Sequence, residues 1–320
     1  MPTDSILRYR FERIRPDHYE VFGELVKASF GSQPSIAEVS KLFDTKAFGN
    51  DHIGFLAFED GSNEAAAFYG VFPCRVELNG QVYPAAQSGS TMTHPDHRKR
   101  DLFYLCGIKT FELAQASGIK FVFGFPNEQS YRGLMKLGWT AHGEFNTYDI
   151  FVVTVPVGIL AKPGDKLQEA YIPRFEKVFQ PYRIAYEPPA NSVIEPGMGG
   201  MHRDADIVRY RGETPTRFVA EIEGARVWLS EHGGTLGIGD MGNVQDADHL
   251  SRVLSKLRSL CRRSGIARMV THLAPETSLD RMFQKAGHRP RKGLTICHRD
   301  LSSGLPLDDF KYVYGDFDTF

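Results

Sequence analysis

Nowhere in the 320 residues do about 18 apolar residues run together, so no segment reads as a membrane-spanning helix. The opening stretch MPTDSILRYRFERIRPDHYE lacks the apolar h-region that a secretory leader needs. Cysteine is scarce. Cys74, Cys106, Cys261 and Cys297 are far apart and share no CxxC or Cys/His ligand spacing, so no structural zinc or other metal is expected. Cys106 and Cys261 fall on apolar helix stripes and read as reduced core thiols. An excess of charge is missing too. Thirty-eight Lys and Arg oppose 39 Asp and Glu, a net charge of −1, which argues against a nucleic-acid coat or an anionic-membrane binder. These absences point to a cytoplasmic protein with no nucleic-acid and no membrane partner.

The sequence has 42% hydrophobic residues, enough for a sizeable core, at a length that suits one or two domains. Alternation over residues 7–14 predicts an edge strand. A helix follows Pro16-Asp17-His18, and Ser35 with Glu38 forms a capping-box signature for a second helix to Phe43. Residues 52–59 and 65–78 read as strands. Asn79-Gly80 is a hairpin turn signal, and residues 81–93 form the return strand. The stripe Leu102, Leu105, Cys106, Ile108, Leu113 predicts a helix ended by Gly118. Phe121–Phe125 is a short, wholly apolar strand, 129–137 a helix, and 139–155 a region of strands. The succession is β-α-α-β-β-β-α-β-α-β-β.

Two blocks carry chemistry. In Thr93-His94-Pro95-Asp96-His97-Arg98-Lys99-Arg100-Asp101-Leu102-Phe103, a loop opens a helix. It offers free backbone N–H groups, a helix N-terminus and three consecutive cations, the features a pyrophosphate needs. The second block, Phe123-Gly124-Phe125-Pro126-Asn127-Glu128-Gln129-Ser130, leads from a buried strand into a short helix ending Lys136-Leu137-Gly138-Trp139. Together the blocks resemble the acyl-CoA site of the GNAT acyltransferase superfamily. The resemblance implies an α/β (α+β) fold with a mixed central sheet flanked by helices. It also implies acetyl-CoA or another acyl-CoA as co-substrate. The pyrophosphate would lie on Met92, Thr93, His94, Arg98, Lys99, Arg100, Asp101, Leu102 and Phe103, and the pantetheine arm would lie near Asn127 and Ser130.

The chain departs from the family pattern at several positions. Asp101 stands where the family uses Gly, and Phe103 stands where it uses Gly or Ala. We expect Asp101 to cap the helix and the Phe103 ring to turn into the core. Leu134 occupies the position of the family's Tyr acid. The stretch Gln87-Ser88-Gly89-Ser90-Thr91 lacks the family's Glu base. Glu128 is the leading catalytic carboxylate, with Asn127 beside it. The same Glu128 also reads as a first-turn residue facing the helix dipole, and Asn127 as a helix N-cap. Gln87, Ser90, Tyr148, Asp240 and His272 are the candidate acceptor contacts, and His142, Tyr148, Asp240 and His272 are weaker candidates than Glu128 for the base.

A weak echo links SGIKFVFGFPNEQSYRGLMKLGW (117–139) to SGIARMVTHLAPETSLDRMFQKAGH (264–288). It predicts a duplicated GNAT fold. Residues 1–155 would form the catalytic domain, 156–190 a proline-bearing connector and 191–320 a degenerate copy helping to form the acceptor site. The equivalent of the cationic loop there, Asp240-Met241-Gly242-Asn243-Val244-Gln245-Asp246-Ala247-Asp248, has acids in place of cations and would repel a pyrophosphate. The tandem arrangement and the ending Gly315-Asp316-Phe317-Asp318-Thr319-Phe320 resemble acyltransferases acting on nucleotide-linked amino sugars. The expected activity is direct acyl transfer, most simply of acetyl, to a primary amine in a ternary complex. The alternatives are another small-molecule or protein amine, or a non-catalytic acyl-CoA sensor or scaffold. The oligomeric state stays open.

Overall fold

The computed structural model describes residues 8–161, 166–187 and 191–320. Residues 1–7, including the first residue of the expected opening strand, and the connector prolines Pro163 and Pro188 lie outside the described residues. The chain divides into two compact units. One comprises Met1–Val76, Val82–Gly143 and Thr295–Leu307. The other comprises Glu77–Gln81, Glu144–Leu294 and Asp308–Phe320.

In the first unit the chain runs through β1 (Tyr9–Arg13), α1 (Tyr19–Phe30), α2 (Ile36–Phe43), β2 (Ile53–Glu59), β3 (Ala65–Leu78) and β4 (Gln81–Thr93). It continues through α3 (Leu102–Ala116), β5 (Phe121–Gly124) and α4 (Glu128–Lys136) into β6 (Thr140–Phe151). Local chemistry fixes much of this. The capping box is present, with Glu38 N–H donating to Ser35 Oγ at 3.3 Å and Ser35 N–H donating to Glu38 Oε2 at 2.7 Å. Asn79 and Gly80 take φ of 51° and 75°, the two-residue turn that suits the twist of β3 and β4. Leu102, Cys106, Phe111 and Ala114 of α3 pack with Val122 and Trp139 in one cluster. Each large side chain sealed there contributes about 1.5–3 kcal/mol.

The expectation of more than one strand in 139–155 is corrected. A single strand, β6, spans Thr140–Phe151, and Gly143, at φ +106°, marks the point where it leaves one unit for the other. Only glycine adopts that backbone without strain. The second unit continues with α5 (Val157–Leu160), α6 (Lys166–Phe179), the two-residue β7 (Gly200–Met201), α7 (Ala205–Arg211), β8 (Arg217–Ile222), β9 (Ala225–His232) and β10 (Thr235–Gly242). Then come α8 (Ala247–Ser264), β11 (Arg268–Leu273), α9 (Ser278–Lys285) and β12 (Arg291–Asp300). Sequence patterning misses α7, β8 and β12.

The same succession recurs in both units. β4 and β5 are parallel across α3, with Ala86 opposite Val122 and Gln87 opposite Phe123. β10 and β11 are parallel across α8, with Thr235, Leu236 and Gly237 opposite Arg268, Met269 and Val270. The strand after each short helix does not return to its own half. β6 follows α4 yet pairs with β11, Asn146 opposite Leu273 and Phe151 opposite Arg268. β12 follows α9 yet pairs with β5, Cys297 opposite Gly124 and Asp300 opposite Phe121.

The core of the second unit encloses charge. Arg203, 3% exposed at its side chain, donates to Asp240 Oδ2 at 2.5 Å and to Asp316 Oδ1 at 2.9 Å. Its guanidinium lies 5.2 Å from the Trp228 ring centre. Ser192 N–H and Met241 N–H also donate to Asp240, and Val313 N–H to Asp316. Burial pushes the Asp316 carboxyl above the usual range, against the pull of Arg203. In the same unit His272 accepts or donates at Nδ1 with Thr147 Oγ1 (2.8 Å) and stacks on Phe317 at 5.2 Å. Burial, helped by the Arg291 and Arg268 guanidiniums, lowers its pKa to about 4.

Two stability predictions follow from these groups. Arg203→Leu leaves two carboxylates buried without their cation and should destabilise the protein by about 3–5 kcal/mol in denaturant titration. An unchanged midpoint would show that the triad is energetically idle. His272 binds its proton more weakly when folded, so the unfolded chain holds the extra proton between pH 6.5 and about 4. Stability should therefore fall as pH drops through that window, by up to about 3 kcal/mol. Melting curves of His272→Gln should lack this part of the slope.

Candidate functional site

The first unit's sheet parts at one place. β4 and β5 stay paired from the Lys120 N–H to Pro84 O bond (2.9 Å) through Gln87 opposite Phe123. β5 ends at Gly124, and the buried Pro126 has no N–H to continue a ladder. β4 runs on to Thr93, with Ser90 at φ +52°. A left-handed residue inside a strand bends it and increases its twist. The backbone of Ser88–Thr93 therefore loses its β5 neighbour, which creates an open strand edge beside the start of α3.

The loop after β4 is built from a short turn, Pro95–His97, followed by two left-handed residues, Lys99 at φ +63° and Asp101 at φ +55°. Asp tolerates this conformation better than most residues, which explains how it stands in a glycine position. The expectation that Asp101 caps α3 with its side chain is corrected. Asp101 occupies the cap position, but no side chain caps this helix among the described residues. The first-turn N–H groups keep their partial positive charge for a ligand.

The three consecutive cations divide their work. Arg100 donates to Tyr9 Oη at 2.5 Å and lies 3.4 Å from Glu59 Oε1, and these partners raise its pKa. His97 Nδ1 meets the same Tyr9 hydroxyl at 2.8 Å, and burial lowers its pKa, which favours the neutral ring. Tyr9 thus anchors both ends of the turn. Arg98 and Lys99 are exposed and form no ion pair among the described residues. Together with Thr93, His97 and residues 100–104 they line a cleft of about 200 Å³, and Gly133 and Lys136 of α4 complete the lining. Phe103 turns inward as expected, its ring 5.0 Å from Tyr69. A Cβ on Gly133 would sit 2.9 Å from that ring, so the missing side chain on α4 makes room for the added one on α3.

Of the other candidates in this unit, Met92 is buried and Leu102 lies in the core, so each offers only backbone. His94 Nδ1 accepts from Asp96 N–H at 3.3 Å. Gln87 is buried on β4. Asn127 caps α4, its Oδ1 accepting from Gln129 and Ser130 N–H at 3.0 Å each, and Ser130 Oγ donates back to Asn127. Glu128 is exposed in the first turn and is absent from the lining of the cleft. Leu134, in place of the family's Tyr, is buried in the core, and Tyr131 packs against the same cluster. The His142 ring lies 4.6 Å from that of His298.

The remaining candidates belong to the second unit and are engaged inside it. Asp240 is fully buried on Arg203, Tyr148 donates to Asp280 Oδ1 at 2.7 Å, and His272 sits on Thr147 and Phe317. At the start of the second unit's long helix, Asp246 Oδ1 accepts from His249 N–H at 2.7 Å and caps α8. Sequence reasoning misses Tyr9 and Lys136. Lys136 stood within a quoted motif, but only the packing of α4 on α3 turns it toward the loop, and nothing near Tyr9 in sequence points to residue 97 or 100.

A family profile described as "Acetyltransferase (GNAT) domain" matches residues 10–141. No curated protein matches the chain at a significant level. Among solved structures, a probable N-acyltransferase from Enterococcus faecalis aligns with a TM-score of 0.61 at 14% identity, over 92% of this chain and 73% of the other. A GCN5-related N-acetyltransferase from Kribbella flavida gives 0.57 at 14% identity, over 94% and 73%. A putative acetyltransferase from Pyrococcus horikoshii gives 0.52 at 13% identity, over 97% and 94%. Identities this low establish a likeness of fold. The profile match, which covers the parted strands and the uncapped helix, gives residues 10–141 a GNAT acetyltransferase domain.

Proposed function

We propose that the chain transfers an acyl group from acyl-CoA to the primary amine of a small molecule, with nucleotide-linked amino sugars as the first acceptors to test. The observation that carries this choice is the neutral edge of β4. From Gln87 to Thr93 the strand bears Gln, Ser, Gly, Ser, Thr, Met and Thr, with no ionisable side chain where the family places a base. An acceptor that must lose its own proton is favoured when its pKa is low. A sugar amine titrates nearer neutrality than a lysine, whose model value is about 10.4.

The site residues suit the co-substrate. Arg98, Lys99 and Lys136 would hold phosphates, and the N–H groups opening α3 would donate to the phosphate oxygens. The open edge of β4 would receive the pantetheine amide groups and turn an N–H toward the thioester oxygen as charge develops there. The acceptor nitrogen attacks the thioester carbonyl, the C–S bond breaks, and the ammonium proton leaves to solvent or to the departing thiolate. The products are an amide and free CoA. Burial raises the Cys106 and Cys297 thiols to about 12 and leaves them poor nucleophiles, which supports direct transfer. Glu128 is the alternative carrier of the ammonium proton, and the pH profile separates the two.

We further propose that residues 191–320 are a degenerate GNAT copy with no cofactor of its own. The repeated β-α-β succession and the Asp246 cap over α8 support this. Acyl-CoA titrated calorimetrically into the protein should saturate at one molecule per chain. Arg98→Ala should weaken binding roughly tenfold, the scale of one charge-assisted hydrogen bond, with the melting temperature unchanged. Two sites, or wild-type affinity in the variant, would remove this placement.

The pH profile discriminates the mechanism. With two acceptors of different amine pKa, the acid limb of kcat/KM should follow the acceptor, rising with pH to each amine's own pKa. A limb fixed at one pH for both acceptors, and lost in Glu128→Gln, would instead assign the proton to an enzyme carboxylate.

A further inference from the structure

The stretch Phe151–Ala161 reads FVVTVPVGILA and carries no charged residue. It is also bare. Phe151 is 76% exposed, Val153 88% and Val155 69%, with Ile159 and Leu160 above half. The segment is not frayed. Val152 N–H donates to Ala267 O at 2.9 Å, Thr154 Oγ1 to Arg262 O at 3.0 Å, and Gly158 N–H to Gly265 O at 3.2 Å. Val152 is buried while its neighbours on either side point outward, the alternation of an extended strand. Isolated exposed apolar residues are ordinary, but a contiguous run held in place marks a surface that something covers. Side chains this exposed stand clear of the body and form no groove.

The rim is basic. Arg262 and Arg263 are exposed in the last turn of α8, and Arg174 is exposed and donates to the Arg263 carbonyl at 3.0 and 2.8 Å. Arg268 stands opposite Phe151, and it shares the carboxylate of Asp149 with Arg291. Arg174, Arg262 and Arg263 have no ion-pair partner among the described residues. A second copy docking by a two-fold axis would bring a second set of the same arginines to the contact. An anionic surface would neutralise them.

We propose that this face of the second unit seats on an anionic lipid bilayer. Phe151, Val153, Val155, Ile159 and Leu160 would enter the headgroup–acyl boundary, and the arginines would meet lipid phosphates. The net charge of −1 argues against such a binder only as an average over the whole chain. Screening at physiological ionic strength limits electrostatics to about 8 Å, so the rim decides. No described helix is long and apolar enough to cross a membrane, so the contact is interfacial. The proposal is independent of the acceptor's identity.

Full-length protein should co-sediment with phosphatidylcholine vesicles containing phosphatidylglycerol about tenfold more strongly than with phosphatidylcholine alone, and high salt should weaken the binding. The double variant Phe151→Asp/Val153→Asp should lose that binding while keeping its circular dichroism and its acyl-CoA affinity. Arg262→Gln/Arg263→Gln should bind more weakly and with a flatter salt dependence. Any of three results would overturn the proposal: no binding at low salt, wild-type binding by the aspartate variant, or light scattering that shows a stable dimer dissociated by Val153→Asp.

Discussion

The pairing of β4 with β5 ends early, and the functional half of the molecule is arranged around that ending. Two register pairs hold the strands, then a proline on one side and a left-handed serine on the other part them. A sheet interior normally satisfies its backbone within the ladder. Here the ladder stops and leaves polar backbone available, in a place that buried side chains keep rigid. The adjacent helix begins without a side-chain cap, so the same small region holds two sets of unclaimed donors. The cations of the loop add charge to a site that the backbone has already built. One of them, Arg100, holds the loop in place.

The second unit has its own parallel strand pair joined across a long helix. Its parallel pair and long helix repeat the first unit's geometry, but Asp246 covers the helix start and Asp240 is drawn into an ion pair with Arg203. A buried guanidinium between two carboxylates is weak evidence for net stability, but removing one member is costly, so such a cluster resists piecemeal change.

Much of the first unit was legible because its determinants are local. The capping box at Ser35, the Asn-Gly turn and the apolar stripe of α3 each act within a few residues, and each has its expected form. Asp101 was half legible. Its departure from the family's glycine was visible, but the capping role expected of its carboxylate depended on a rotamer that no pattern encodes. Asp240, Tyr148 and His272 are candidate acceptor contacts in the sequence, although a lone His or Tyr on a strand is more often a packing residue. Their partners, at positions 203, 280 and 147, lie too far away in sequence for any spacing rule to reach. The destination of β6 and β12 was equally hidden, since a strand's pattern reports its faces and not which neighbour it will find.

The exchange of β6 and β12 also bears on how the protein is made. β5 is synthesised before the midpoint of the chain, but its partner on one side comes from residues 297–300. At ordinary elongation rates that strand emerges on the order of ten seconds or more after β5. Until then the nascent first unit exposes a hydrophobic strand edge, the kind of surface that invites chaperones or aggregation. An isolated N-terminal fragment would carry the same open edge permanently. A cut placed at any boundary between the halves should therefore yield two sticky pieces, each lacking the strand that the other half supplies.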